Sequence, residues 1–176
     1  MQDKFELLYR YYGYTAFRDG QEELIDAQLS GRDVFGIMPT GGGKSLCYQI
    51  PALMLEGITL VVSPLISLMK DQVSALKTMG VPAAYVNSSL TPGQIRLVLK
   101  NIQLGQYKII YVAPERLLTD GFLEAIGSLK IAMLAVPSAA IQLGGYGCGF
   151  IKAYVTKILL RRGRDVEEEI LIRKGK

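Results

Sequence analysis

The sequence predicts an α/β domain built on a mostly parallel sheet with helices on both faces. The first observation is that short apolar runs alternate with amphipathic runs of helical spacing along residues 1–136, as in successive βαβ units. The second is that the apolar runs are nearly continuous, which is typical of strands buried on both faces. Because ligands bind at the carboxyl ends of the strands in such sheets, the residues after each strand are the first candidates for a functional site.

Five apolar runs are predicted to be strands. Each is short, and several are rich in β-branched residues, which favour an extended backbone. In chain order, the predicted strands are Val34–Met38, Ile58–Ser63, Val81–Val86, Lys108–Ala113 and Ile131–Val136.

Four segments between these runs are predicted to be helices. Apolar residues recur at helical spacing from Leu65 to Met79, and Gly80 ends that pattern. Thr91 is a typical N-cap residue, and Pro92 follows it at the first helical position. In chain order, the predicted helices are Ser45–Leu55, Leu65–Met79, Thr91–Gln103 and Thr119–Leu129.

The composition changes after Val136, so we interpret residues 1–136 as one domain and residues 137–176 as a divergent tail. The tail begins with a glycine-rich stretch, Pro137–Gly149. Phe150–Leu160 follows with its apolar residues on one helical face, which predicts a possible helix. The last twelve residues fit a helix or a strand equally well.

The charge of the chain is unevenly distributed. Residues 1–136 carry 12 basic and 12 acidic residues, whereas residues 137–176 carry 8 basic and 4 acidic residues. The net charge of +4 is therefore a property of the tail, and it is weak evidence for a nucleic-acid surface on the main body. The basic excess of the tail fits either a contribution to nucleic-acid binding or a solvated chain end.

Cysteine and histidine content excludes several kinds of site. The chain has two cysteines, Cys47 and Cys148, and no histidine. A disulfide framework, a typical Cys/His zinc site and a Ser-His-Asp catalytic triad are therefore excluded. We interpret Cys47 as a small core residue.

No segment is predicted to target the chain to a membrane. The N-terminus, Met1–Glu6, is charged and does not resemble a signal peptide, so a cytoplasmic protein is expected, nucleoid-associated if bacterial. The stretch between Lys130 and Lys152 lacks charge, but it contains Pro137 and several glycines and would make a poor membrane-spanning helix. No membrane partner is expected.

A glycine-rich loop, Pro39-Thr-Gly-Gly-Gly-Lys-Ser45, stands between a predicted strand and a predicted helix. Glycines let the backbone wrap tightly and aim several N–H groups inward, and a helix start adds its partial positive charge. Lys44 is placed to reach outer phosphates and the Ser45 hydroxyl to ligate Mg²⁺. The loop predicts a nucleoside triphosphate site without choosing among kinases, motors and transporters; the alternative is a turn with an incidental lysine.

Three further segments narrow the choice among these classes of nucleotide-binding protein. Together with Met38–Gln49 they make four motifs in a defined order along the chain. The three further segments are Tyr11–Glu23, Val62–Val73 and Tyr111–Leu117. Together the four segments resemble the first RecA-like motor domain of the RecQ family of DNA helicases. The resemblance covers about residues 5–136, and it includes the helicase form Thr-Gly-x-Gly-Lys-Ser, in which Met38 stands where the strict loop pattern has glycine. Since the resemblance stops there, the sheet is expected to be an incomplete RecA-like sheet.

The resemblance implies roles for individual residues, with ATP and Mg²⁺ as cofactors. Tyr14 would stack on adenine, although a surface aromatic is the alternative, and Arg18 and Gln21 would hydrogen-bond the edge of the base. Lys44 would be the catalytic lysine and Ser45 a Mg²⁺ ligand. The residues implied to hold the phosphates are Thr40, Gly41, Gly42, Gly43, Lys44 and Ser45.

Two strand-end segments are implied to contact DNA. They would bind the backbone of single-stranded or partly duplex DNA without reading its sequence, as a translocating motor requires. The alternative is that both are ordinary turns. The residues concerned are Ser63, Pro64, Leu65, Pro114, Glu115 and Arg116.

The sequence departs from the family where the family has Asp-Glu-Ala-His. At those places it has Pro137, Ser138, Ala139 and Ala140, so a carboxylate for the Mg²⁺ shell and one for activating water are both missing. A second motor domain does not fit into the 176 residues. We therefore expect a hydrolysis-defective motor domain that binds DNA weakly.

Three functions remain open on the sequence. The first is an ATP-dependent helicase that unwinds DNA with 3′-to-5′ polarity, as the family implies. The second is an inactive module that holds nucleotide and single-stranded DNA. The third is another P-loop enzyme such as a small-molecule kinase, which the adenine-binding segment and Pro114–Arg116 disfavour.

Overall fold

A computed structural model describes residues 3–39, 41–127 and 129–136 of the chain. Within these residues seven helices surround a four-stranded sheet. The elements, in chain order, are α1 Lys4–Tyr12, α2 Gln21–Leu29, α3 Lys44–Met54, β1 Ile58–Val62, α4 Ile66–Thr78, β2 Ala83–Val86, α5 Pro92–Gln103, β3 Ile109–Val112, α6 Pro114–Leu117, α7 Asp120–Gly127 and β4 Ile131–Ala135.

All neighbouring strands of the sheet are parallel, in the order β2-β3-β1-β4. β1 pairs with β3 from Thr59 opposite Ile109 to Val62 opposite Val112. The carboxyl ends of these two strands therefore lie side by side. The predicted parallel α/β sheet is confirmed.

Helices cover both faces of the sheet, as predicted. Alternate residues of β1 point to opposite faces, because successive side chains of a strand alternate. Val61 packs on one face with residues of α3 and α4, while Leu60 and Val62 pack on the other with residues of α5 and α7. The strand residues of β1 and β3 are all buried, which explains their continuous apolar composition.

Two helices near the N-terminus were not predicted. α1 and α2 pack on the outer side of α3 around a third apolar cluster. The cluster consists of Leu7 and Leu8 from α1, Ile25 from α2 and Leu46 and Ile50 from α3. This layer holds the segment between α1 and α2 beside the start of α3.

The predicted strand Val34–Met38 is wrong: the described part of the sheet has four strands, and this segment is not among them. Its apolar side chains are largely outside the core, with Phe35 50% and Ile37 77% exposed. The segment lies against α2 instead, since a Cβ placed on Gly36 would be 2.7 Å from Leu24 Cδ1. A short apolar run becomes a strand only where a neighbouring strand supplies its hydrogen bonds.

The other elements predicted within residues 1–136 are found with ends shifted by at most two residues, and the possible helix Phe150–Leu160 lies outside the described residues. The Thr91 start is confirmed in detail, because Thr91 and Gln94 form a reciprocal capping box. Pro114–Arg116, for which an ordinary turn was the alternative to a DNA contact, belongs to the short helix α6. None of the helices within residues 3–136 that the structure describes is long and apolar enough to cross a membrane.

Candidate functional site

The glycine-rich loop wraps tightly before α3. Gly41 and Gly43 have φ angles of 79° and 76°, a left-handed conformation that glycine adopts without strain. The Gly42 N–H donates to the Pro39 carbonyl at 3.0 Å, and a Cβ on Gly42 would meet that same oxygen at 2.9 Å. The loop is therefore a backbone cradle in which a side chain at Gly42 would collide with the Pro39 carbonyl oxygen.

Lys44 is the first residue of α3 and closes the loop on itself. Its ammonium donates to the carbonyl oxygens of Met38 at 3.0 Å and Pro39 at 2.9 Å. A lysine charge and the N-terminus of an eleven-residue helix thus converge at the loop. The charge of the lysine and the partial positive charge of the helix N-terminus fit the outer phosphates of a nucleotide.

Gln21, at the start of α2, braces the loop from beneath. Its side chain is almost completely buried, with 1% exposed. The Nε2 group donates to the carbonyl oxygens of Gly42 and Gly43, both at 3.2 Å. The Oε1 atom accepts from the Arg18 backbone N–H at 2.9 Å. The nitrogen end of the Gln21 amide therefore connects α2 with the loop, and the oxygen end holds the segment that precedes α2.

Arg18 also reaches the loop, and Tyr14 stands apart from the core. The Arg18 guanidinium Nη1 donates to the Gly41 carbonyl at 2.7 Å. Tyr14 lies between α1 and α2 with 51% of its surface exposed. The structure thus brings Arg18 and Gln21 together with the loop. The adenine contacts expected of these residues and of Tyr14 stay predictions.

Ser45 lies in the first turn of α3, where its hydroxyl hydrogen-bonds with that of Tyr48. Among the described residues no three His, Cys, Asp or Glu side chains cluster as a metal site would require. The described residues therefore fit the phosphates better than they fit Mg²⁺, for which Ser45 offers a single hydroxyl. Thr40 and the predicted departure at Pro137–Ala140 lie outside the described residues.

The two predicted DNA-contacting segments are neighbours at the carboxyl edge of the sheet. Ser63 follows β1 and is buried, and its hydroxyl accepts from the Leu65 N–H at 3.3 Å. Pro114, Glu115 and Arg116 follow β3, the adjacent strand. The Arg116 Nε atom is buried and has no hydrogen-bond partner within the described residues. The structure brings the two segments together; their DNA contacts stay predictions.

A buried polar network that the sequence analysis missed lies beneath the site. Gln49 of α3 is at its centre, bonded to three other side chains. Tyr48, also of α3, joins through Tyr111, whose hydroxyl lies 3.2 Å from that of Tyr48. The sequence signal for this network is that its polar residues stand among apolar ones in the four segments of the family resemblance. The members of the network are Tyr12, Tyr48, Gln49, Gln72 and Tyr111.

The tyrosines of this network stay neutral at working pH. Burial is the main cause that raises the pKa of Tyr111 and of Tyr12 above the ordinary tyrosine value. The neutral phenols keep their hydrogens, so the bonds between Gln49 and both hydroxyls persist across the neutral range.

Cys47 is expected to be unreactive in the folded chain. Burial raises the pKa of its thiol to about 11, so the reactive thiolate is scarce at pH 8. In a Cys148→Ser background, we expect iodoacetamide to label Cys47 about 100-fold more slowly in the native state than in denaturant, from the thiolate fraction alone. The rate of carbamidomethylation by mass spectrometry checks this, and equal rates in both states would contradict it.

Comparison with known proteins yields a family and several relatives. The sequence model of the family described as DEAD/DEAH box helicase matches residues 18–134. The chain is 49% identical over 138 residues to the ATP-dependent DNA helicase RecQ of Pasteurella multocida, which covers 78% of this chain and 22% of that protein. It is 48% identical over 161 residues to RecQ of Bacillus subtilis, covering 90% and 27%.

A third relative and a solved structure agree with these matches. RecQ of Haemophilus influenzae is 42% identical over 173 residues, covering 91% of this chain and 28% of that protein. The crystal structure of a hypothetical ATP-dependent RNA helicase from Sulfolobus tokodaii has a TM-score of 0.65 at 23% identity, covering 97% of this chain and 50% of that one. This likeness supports the fold. The chain spans 22–28% of the length of these three RecQ relatives.

Proposed function

The chain belongs to the DEAD/DEAH box helicase family, and we propose that it is the ATP-binding motor domain of a RecQ-like DNA helicase. The observation that carries the proposal is the glycine cradle at the start of α3, braced by Gln21 and closed by Lys44. The similarity to RecQ helicases over most of the chain supports DNA as the substrate. We place the domain at residues 1–136.

In this proposal the loop holds the triphosphate of ATP. Backbone N–H groups of the loop and the Lys44 ammonium bind the outer phosphates, and the Ser45 hydroxyl ligates Mg²⁺. Arg18 and Gln21 lie against the loop, so the base would sit on the α1–α2 side, with Tyr14 stacked on it. Mg²⁺, when bound, neutralises phosphate charge.

Single-stranded DNA would run along the carboxyl edge of the sheet. Ser63–Leu65 and Pro114–Arg116 follow adjacent strands, and hydroxyl, backbone N–H and guanidinium groups there suit phosphates of any sequence. These contacts are few, so we propose that this chain alone binds DNA weakly. The site of action is then the cell's DNA, which places the protein inside the cell and, in a bacterium, at the nucleoid.

We further propose that this chain hydrolyses ATP poorly or not at all. The four residues after Val136 carry no carboxylate, where the resemblance implies two acidic residues that hold Mg²⁺ and activate water. One missing catalytic group typically costs about 10²–10⁴ in rate. The second candidate function, an inactive module that holds nucleotide and single-stranded DNA, is favoured by the same sequence feature.

Lys44→Ala is the test of nucleotide binding. Losing one charge-assisted contact of about 1.5–3 kcal/mol should weaken binding of a fluorescent ADP analogue with Mg²⁺ by about 10-fold or more. Lys77→Ala, at the exposed end of α4, makes the same change of charge away from the loop and serves as the matched control. Equal affinity in the Lys44 variant and the unmodified chain would refute the proposed site.

The unmodified chain and the Lys44→Ala variant also distinguish an active motor from an inactive module. ATP turnover is measured with and without oligo(dT), beside Lys44→Ala. Nucleotide binding without turnover supports the hydrolysis defect. DNA-stimulated turnover that Lys44→Ala abolishes would refute the defect and identify this chain as an active ATPase.

A further inference from the structure

Gln49 uses all of its polar atoms inside the protein. Its side chain is 3% exposed and lies within an otherwise apolar layer between α3, α4 and the sheet. The Oε1 atom accepts from the Tyr12 hydroxyl at 2.8 Å. The Nε2 group donates to Gln72 Oε1 at 2.9 Å and to the Tyr111 hydroxyl at 3.2 Å. A methionine or leucine could fill this space, so the amide must be explained by its hydrogen bonds.

Two hydrogen-bond partners of Gln49 lie on the elements that adjoin the candidate DNA-contacting segments. Gln49 itself belongs to α3, the helix that begins at the phosphate loop. Gln72 belongs to α4, which begins directly after Ser63–Leu65. Tyr111 belongs to β3, which leads into Pro114–Arg116. The two donated bonds therefore run from the phosphate-loop helix to the elements that carry the two candidate DNA segments.

The physical properties of such bonds suit the transmission of small displacements. Breaking the hydrogen bonds of a buried amide is unfavourable, because no water replaces them, so its partners are held within hydrogen-bond distance. If nucleotide binding displaces the N-terminus of α3, then α4 and β3 must move with α3, or one of the hydrogen bonds from Gln49 breaks. Each apolar contact is individually weak and not directional, so apolar contacts fix the relative positions of these elements less strictly than hydrogen bonds do.

We propose that Gln49 is a positioning residue that couples the phosphate loop to the two strand-end segments through Gln72 and Tyr111. The inference rests on the proposed function, since it assumes that nucleotide binds at one end of the coupling and single-stranded nucleic acid at the other. Tyr12 bonds to Gln49 from α1 and lies off this route. Removal of the hydroxyl should therefore weaken the coupling at Tyr111 and leave it unchanged at Tyr12.

The test is the effect of DNA on nucleotide affinity. The dissociation constant of a fluorescent ADP analogue is measured with and without saturating oligo(dT), and the ratio of the two constants is the coupling. We expect a ratio of about 5 or more in the unmodified chain. Gln49→Met and Tyr111→Phe should bring the ratio towards 1, whereas Tyr12→Phe should leave it unchanged. A network that only stabilises the fold would lower the unfolding midpoint in all three variants and leave the ratio alone.

A ratio of 1 in the unmodified chain, or equal ratios in all the variants, overturns the coupling. The proposed function is judged separately, by whether nucleotide binding without DNA depends on Lys44. If the chain binds no nucleotide, the rate of amide hydrogen exchange tests the coupling instead. The Arg116 and Leu117 N–H groups, which donate to the Ala113 carbonyl, should exchange faster in Gln49→Met and Tyr111→Phe than in Tyr12→Phe. Equal exchange in the three variants overturns the proposal.

Discussion

Gly43→Ala is expected to remove tight nucleotide binding and to destabilise the chain more than Gly41→Ala does. Both glycines have a left-handed φ, so alanine at either position costs about 1–2 kcal/mol of backbone strain. The surroundings differ. A Cβ on Gly41 would meet nothing within 4 Å, whereas a Cβ on Gly43 would lie 2.4 Å from Gln21 Nε2.

The collision at Gly43 cannot be relieved cheaply. The Gln21 amide is buried and bonded to the Arg18 N–H and to the carbonyls of Gly42 and Gly43. Moving it leaves buried groups unpaired, at about 1–3 kcal/mol each. We therefore expect Gly43→Ala to cost at least about 1 kcal/mol more than Gly41→Ala and to weaken ADP binding at least about 10-fold.

Urea unfolding of the two alanine variants measures the difference in stability, and fluorescence titration measures the affinity. A double mutant checks the cause. In a Gln21→Ala background the colliding atom is gone, so the added cost of Gly43→Ala should fall towards that of Gly41→Ala. Additive costs would show that the collision is not the reason.

Gln21→Ala is the second change with a large expected effect. It removes the two hydrogen bonds that Gln21 donates to the loop carbonyls of Gly42 and Gly43, and the one that it accepts from the Arg18 N–H. We expect a loss of stability of about 2–4 kcal/mol, from about 1 kcal/mol for each bond and the cost of unpaired groups. Nucleotide affinity should fall about 10-fold or more, because the cradle is no longer held in shape.

Gln28→Ala is the matched control on the same helix. Gln28 donates to the carbonyls of Leu24 and Cys47, so it ties α2 to α3 away from the loop. Its loss should lower the unfolding midpoint without the drop in affinity. If both variants lose affinity equally, the effect of Gln21 is general destabilisation rather than support of the loop.

Most of the fold could be predicted because the signals are local. The run Ile58–Ser63 is mostly apolar and β-branched, which is typical of a strand buried on both faces of a parallel sheet. Thr91 and Pro92 begin a helix through contacts within one turn. Val34–Met38 has the same composition as a strand, but whether it becomes one depends on a neighbour that no local pattern reveals.

The candidate site likewise has one part that is local in the sequence and another that depends on contacts between distant residues. The sequence alone predicts the glycine-rich loop as a candidate phosphate site, because the freedom of Gly41 and Gly43, the lysine and the helix start are properties of seven consecutive residues. The contacts by which Gln21 braces the loop and Gln49 joins three elements depend on how the helices and strands pack. Gln49 and Tyr111 are 62 residues apart in the chain. A glutamine can bond to any donor or acceptor in reach, so its role is set by how helices and strands pack.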